Sequence, residues 1–316
     1  MIQTMWNEGG PSGLGYSEIE AYLRCPKEYQ FGKVRGMSKP MSNTPDYFAI
    51  GSFLHAGRAR WFAEGFSVSD ETWQKMIADV DATRSGFELP SSDLAYSTAL
   101  RYLQEYVDYW VVREKPKIVA VEHMLGPVRI DTRMEDGVAF TERTARLDDF
   151  GFYPEAGNKL MIGECKTTSG KISDVANQYT MHGQPGLQQL LWKLAPQGEA
   201  MYGAVSGMVL DVISKGMGGK RCEFARIGVD VPERLMVIVR NELARALVRK
   251  AQVTWNSDEE RRVTSCTRLI GKARVACSFR DVCLYGRGGT MGMTFEDGSP
   301  VPNWQPSEGK ETAPWD

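Results

Sequence analysis

The sequence predicts an α/β fold in which a helical block leads into a strand-rich core. Three observations predict it. Apolar residues recur at helical intervals up to Pro116, alternating strand-like segments fill residues 117–168, and beyond Lys171 a helix, two strands and a further helix follow in turn.

The first fifteen residues are Gly-rich and read as mobile. Ser17-x-x-Glu20 then forms a capping box, with Ile19, Tyr22 and Leu23 on the apolar face of a short helix that stops at Cys25-Pro26 and restarts through Lys27–Gln30. AIGSFLHAGRARWFAEG reads as a helix carrying Gly51-x3-His55, and Asp70 to Val80 and Ser92 to Glu114 as two more. In the last of these Tyr96, Leu100, Leu103, Val107 and Trp110 form a wide apolar stripe, which is core.

After Pro116 the period changes. KIVAVEHMLG and PVRIDTR read as strands, and a turn at Glu135-Asp136-Gly137 leads to VAFTERTARLDDFGFY and then NKLMIGECKTT. DVANQYTMHGQPGLQQLLWKLA reads as helical, with Gln188 and Trp192 four apart on one face. EAMYGAVSGMVLDVIS and RCEFARIGVDV read as strands joined by KGMGGK, which lacks the phosphate-loop pattern and is read as a hairpin turn. Pro232 opens a helix with Leu235, Val239, Leu243 and Leu247 along one side. From Asn256 the chain reads as polar and irregular, and the tail beyond Cys283 as poorly ordered.

The net charge of −2 argues against a basic coat but leaves room for a basic cleft. No run approaches the roughly 18 apolar residues of a membrane span, and MIQTMWNEGGPSG lacks the layout of a signal peptide, so the expected location is cytoplasmic. Six cysteines in such a chain suggest metal or redox chemistry ahead of a disulfide framework.

The chemistry concentrates between Ala145 and Lys171. Asp148 and Glu164 sit in strand contexts either side of a turn, and Lys166 follows Glu164 by two, so Glu164 and Lys166 share a face while the Cys165 thiol turns to the core. Two acids and an ammonium supply what divalent-metal phosphodiester cleavage needs: hard oxygen ligands, and a cation near the water or phosphate. Asp148 is preferred to Asp149, which faces the other way on a regular strand. Glu122, on an earlier strand, is a further candidate oxygen donor, whereas His123 points to the opposite face and reads as structural.

The spacing D-x15-E-x-K resembles the signature of the PD-(D/E)XK nuclease superfamily. Gly51-x3-His55, Asp148 in A-R-L-D, Glu164-x-Lys166 and Gln188-x3-Trp192 follow the order of its RecB-like exonuclease branch, with Trp in place of the usual Tyr; the resemblance runs from about Ser17 to Cys283. It implies a central mixed β-sheet flanked by helices, with a helical insertion. It also implies His55, Asp148, Glu164 and the Cys165 carbonyl as ligands for Mg²⁺ or Mn²⁺, Lys166 beside the attacking water, and Gln188 as a substrate-orienting amide. An imidazole ligand suits Mn²⁺ better than Mg²⁺.

Cys25 with Cys266, Cys277 and Cys283, ending in ACSFRDVC, is similar to the one-plus-three cysteine pattern of iron–sulfur RecB-like nucleases such as the AddB-like and CRISPR-associated exonucleases. That similarity implies a structural [4Fe–4S] cluster clamping the N- and C-terminal regions; four-cysteine zinc is the alternative. The spacing departs from the pattern, since ten residues separate Cys266 from Cys277.

The implied organisation is an arm over 1–45, a helical block over 46–115, a nuclease core over 116–255, a cluster-binding region over 256–290 and a tail over 291–316. The implied partner is DNA, single-stranded or at an end, with recombination or CRISPR-adaptation proteins and a second copy of the chain as further partners. The absence of a Walker A motif points to a stand-alone enzyme of the kind found in phages and CRISPR systems. Two other readings stay open: an endonuclease using the same site, and a non-catalytic DNA-binding partner that keeps the fold.

Overall fold

A computed structural model describes residues 15–25, 29, 46–85, 92–134, 137–168, 170–180, 182–215, 221–252, 267–270 and 273–276. The chain divides into two compact units, one of Met1–Asn43, Arg129–Arg143 and Arg240–Asp316, the other of Thr44–Val128 and Thr144–Val239.

In the second unit a helical block comes first: α2 (Asp46–Ala63), α3 (Asp70–Ser85) and α4 (Ser92–Val111), α1 being Tyr16–Arg24 of the first unit. The sheet then runs β1 (Lys117–Met134), β2 (Gly137–Tyr153), β3 (Lys159–Thr168), β4 (Met208–Ser214) and β5 (Glu223–Val229), in spatial order β1-β2-β3-β4-β5. β3 lies antiparallel to β2 and parallel to β4, and β4 lies antiparallel to β5, so the sheet is mixed. The parallel pair needs a crossover. It is made by α5 (Ile172–Thr180) and α6 (Gly183–Leu194), followed by the short α7 (Glu199–Tyr202). α8 (Glu233–Gln252) follows β5, and β6 (Thr267–Ile270) pairs with β7 (Ala273–Ala276) as a hairpin.

Strand alternation sorts the core into two faces. Phe53, Leu54, Trp61, Tyr106 and Trp110 of the helical block pack with Cys165, Ile213 and Phe224 on one face. On the other, Phe150 meets the Trp192 ring of α6 at 4.9 Å, next to buried Leu187, Leu190 and Leu191. Glu164 and Lys166 therefore turn towards α5 and α6, and Cys165 and Thr167 towards α2.

Four elements differ from the sequence expectation. The single helix expected over 174–195 is two, because His182 is extended (φ −80, ψ 141) and its Nδ1 accepts the Gln184 N–H as the cap of α6. Pro185 falls in that first turn, where no N–H is required. Residues 199–207 are not strand: Gly203 (φ 91) and Gly207 (φ 148) hold conformations that end the alternating pattern, and only 208–214 joins the sheet. KIVAVEHMLG and PVRIDTR form one continuous strand, β1. The irregular stretch after Asn256 contains the β6–β7 hairpin. The expected Lys27–Gln30 turn falls largely outside the described residues, as does the tail.

Candidate active site

The site lies where β2 and β3 part. Their ladder runs from Tyr153↔Lys159 to Asp149↔Gly163, and beyond it the Cys165 N–H donates to Asp148 Oδ2 at 2.7 Å in place of a backbone carbonyl. A strand residue's N–H and C=O leave by the same edge. The Cys165 carbonyl therefore faces this opening with Asp148.

α2 brings His55 to the same place. A Cβ at Gly51 would stand 3.2 Å from Thr167 Oγ1, so the glycine lets the helix come close to β3. One turn later His55 Nδ1 lies 3.3 Å from Asp148 Oδ2. Burial works against both charges. For His55 it is outweighed by the Cys165 sulfur and the Asp148 carboxylate, which hold the imidazole well above its ordinary value; for Asp148 it is outweighed by His55 and the Cys165 N–H, which hold the carboxyl far below the carboxylate range.

Glu164 is 3% exposed and lies under donors from two elements. Lys166 Nζ and Gln184 Nε2 (2.9 Å) donate to its Oε1, and Gln188 Nε2 (2.9 Å) to its Oε2. Gln184 and Gln188 are one turn apart on α6, so the two amides grip the carboxylate from one helix face. Burial disfavours the Lys166 ammonium, but Glu164 more than compensates and its pKa is raised. Tyr179 covers that lysine, with Nζ 5.3 Å from the ring centroid, and stacks on His182 at 6.0 Å.

The sequence candidates thus fall into two adjoining groups joined through β3: His55, Asp148 and Cys165, and Glu164, Lys166 and Gln188. Trp192 is fully buried, donating its indole N–H to the Gly203 carbonyl at 2.9 Å, and takes a packing position. Glu122 pairs with Arg146 at 3.0 Å and has φ 49, a left-handed backbone uncommon for any residue other than glycine. Burial raises its pKa and the Asp148 charge adds to this. His123 bonds to the Gln197 carbonyl at 2.8 Å and packs on Phe150 and Tyr202, a structural position. Cys25 is buried with a free thiol, while Cys266, Cys277 and Cys283 lie outside the described residues. Sequence reasoning missed Gln184, although its four-residue spacing from Gln188 was a readable signal. It also missed Tyr179 and the Cys165 sulfur beside His55, which only the packing of α2 and α5 reveals.

The donor set suits a hard divalent cation: two carboxylates, a strand carbonyl and an imidazole. Gln188 Oε1 adds a buried oxygen with no hydrogen-bond partner. Among the described residues no three His, Cys, Asp or Glu side chains already form a closed ligand cage, because Glu164 is turned into its three donors. His55 and Asp148 meet each other, while the Glu164 carboxylate is held apart by Lys166, Gln184 and Gln188.

Among the described residues no helix is long and apolar enough to cross a membrane. A family model for the PD-(D/E)XK nuclease superfamily matches residues 14–284. No curated protein matches the chain.

Proposed function

The chain belongs to the PD-(D/E)XK nuclease superfamily, and from that premise we propose a divalent-metal-dependent deoxyribonuclease of the RecB-like branch, acting as an exonuclease in DNA recombination, repair or processing. The observation that carries this reading is the buried Glu164 carboxylate, fixed by Lys166, Gln184 and Gln188 beside an Asp148 carboxylate kept ionised by His55.

A bound Mg²⁺ or Mn²⁺ would supply Lewis-acid charge and acidify water at the phosphate. Asp148, Glu164, His55 and the Cys165 carbonyl would hold it. Lys166 acts as a cation, since Glu164 keeps it protonated; it orients the attacking water and stabilises the negative charge that grows on the phosphate. Gln184 and Gln188 fix the direction of the Glu164 oxygens. The Gln188 carbonyl oxygen is left over to orient the substrate or an ordered water.

The same reading gives Cys25, Cys266, Cys277 and Cys283 to a structural [4Fe–4S] cluster. Support comes from Cys25, buried with its thiol free, and from the β6–β7 hairpin, whose end rung is Thr267↔Ala276. Those residues are the chain neighbours of Cys266 and Cys277, and the two paired strands take up eight of the ten intervening residues. Iron and acid-labile sulfide in the anaerobically purified protein support the cluster, and zinc with neither contradicts it. The proposed setting is the cytoplasm, with DNA ends or single strands as substrate.

The test incubates end-labelled linear DNA and covalently closed circular DNA with Mg²⁺ or Mn²⁺, beside Lys166→Ala. Shortening of the linear substrate alone, lost in the variant, is the expected result. Cutting of the circle favours an endonuclease at the same site. No cleavage with either metal, or equal cleavage by the variant, contradicts the catalytic reading.

A further inference from the structure

Behind the site lies a second set of charges that the proposed chemistry does not use. Arg58 is 1% exposed, yet its Nη2 meets Asp149 Oδ2 at 2.8 Å and its Nε meets Asp211 Oδ2 at 3.0 Å. Asp211 also takes Arg226 Nε at 3.3 Å and the Tyr106 hydroxyl, and Asp149 takes the Tyr153 hydroxyl. Two guanidinium groups and two carboxylates are thus neutralised in the interior, with the Phe62 ring 4.1 Å from the Arg58 guanidinium carbon.

Each carboxylate is one step from a site residue. Asp149 follows Asp148 on β2. Asp211 stands opposite Cys165 in the β3–β4 ladder, and the Cys165 N–H is the group that holds Asp148. Arg58 itself lies three residues after His55, on the same side of α2. The apolar contacts of α2, through Phe53, Leu54 and Trp61, are non-directional and would tolerate a small rotation or slide of the helix. A forked guanidinium between two fixed carboxylates would not. Buried ion networks are poor sources of stability, because apolar replacements of similar volume are often as stable or more so. Their use here is geometric.

We propose that Arg58 is a positioning residue: by bridging Asp149 and Asp211 it sets the rotation of α2, and thereby the placement of His55 against Asp148 on which cation affinity depends. This rests on the metal-dependent reading above.

The test measures Mn²⁺ and Mg²⁺ binding by calorimetry, thermal melting, and kcat and KM for DNA in the full-length protein, Arg58→Lys and Tyr106→Phe. Lysine keeps the buried charge but cannot fork between the two carboxylates. At a melting temperature close to the parent, Arg58→Lys is expected to weaken Mn²⁺ binding by about 10-fold or more, the range found when groups that orient metal ligands are removed. It should lower kcat while leaving KM for DNA unchanged. Tyr106→Phe, which keeps the ring but removes the hydroxyl that donates to Asp211 and accepts from Arg58 and Arg226, should show a smaller loss of the same kind. It decides the matter if Arg58→Lys does not fold. Folded variants that bind Mn²⁺ and turn over like the parent overturn the positioning role and leave the nuclease reading standing. A parent protein that binds neither Mn²⁺ nor Mg²⁺ overturns both, and is told apart because it needs no variant.

Discussion

Gly163, the residue before Glu164, makes room for the buried Asp149. A Cβ added there would stand 2.0 Å from Asp149 Oδ1 and 2.4 Å from the Tyr153 hydroxyl, where ordinary contact begins near 3.4 Å. In Gly163→Ala the carboxylate must therefore retreat by more than an ångström. Its 2.8 Å pair with Arg58 cannot survive that shift unchanged. Overpacking alone costs about 1–3 kcal/mol, and breaking a buried ion pair about 3–5 kcal/mol. The lower end of the combined loss, about 4 kcal/mol, already corresponds to a melting temperature lower by roughly 8–16 °C for a large domain. Gly228→Ala in β5 is the control, since a Cβ there meets nothing within 4 Å, and its effect should stay within about 1 kcal/mol. Thermal melting by circular dichroism on the three proteins reads the difference. A Gly163→Ala protein melting within about 2 °C of the parent would refute the steric argument and the rigidity assigned to Asp149.

Further outcomes follow from the same geometry. Gln184→Ala and Gln188→Ala each remove a hydrogen bond to the charged Glu164, worth about 1.5–3 kcal/mol, and should each lower kcat by roughly 10- to 100-fold in a single-turnover assay. Equal rates would show that Glu164 needs no such support. Trp192→Phe loses the bond to the Gly203 carbonyl and should cost about 1–3 kcal/mol of stability, while cleavage per folded molecule stays unchanged. The pH dependence has a definite sign. His55 has a folded pKa above its ordinary 6.5, so its contribution to stability is complete below that pH and is lost as pH rises through the folded value. Asp148 has a folded pKa below its ordinary 3.8, so its contribution is present above 3.8 and is lost as pH falls through the folded value. Melting of the metal-free protein should therefore be pH-sensitive at both ends of that window, and Asp148→Asn should flatten both limbs. A cation needs the neutral imidazole, so Mn²⁺ affinity measured by calorimetry should rise as pH rises through the His55 pKa, with proton release. Glu122→Gly removes a left-handed strain of about 1–3 kcal/mol, so the variant should melt no lower than the parent despite the lost Arg146 pair.

The period change at Pro116 and the alternation on either side of the Gly157 turn made the order of helices and strands legible, because local patterning decides those elements. That Glu164 and Lys166 share a face was legible for the same reason: a period of two fixes which face each side chain takes. Three features were not. The break at His182 depends on a ring nitrogen capping α6, a role more often filled by Ser, Asp or Asn. The end of the helical segment before β4 depends on two glycines at positive φ that also fit a bulged strand. The Arg58 network was invisible because the partners of Arg58 lie 48 to 153 residues from it in the chain, and Arg58 in A-G-R-A-R has no local feature that marks it as buried.

The proposed function requires Asp148 and Glu164 together to make a divalent-metal site for phosphodiester hydrolysis. The most direct measurement is cleavage of a labelled oligonucleotide in Mn²⁺ by the parent, Asp148→Asn and Glu164→Gln, with melting recorded for each and a chelator control. Cleavage by the parent alone, abolished by the chelator and reduced to the no-enzyme level in both folded variants, is the predicted result. Folded variants that cut at the parent's rate, or cutting that survives the chelator, would contradict it.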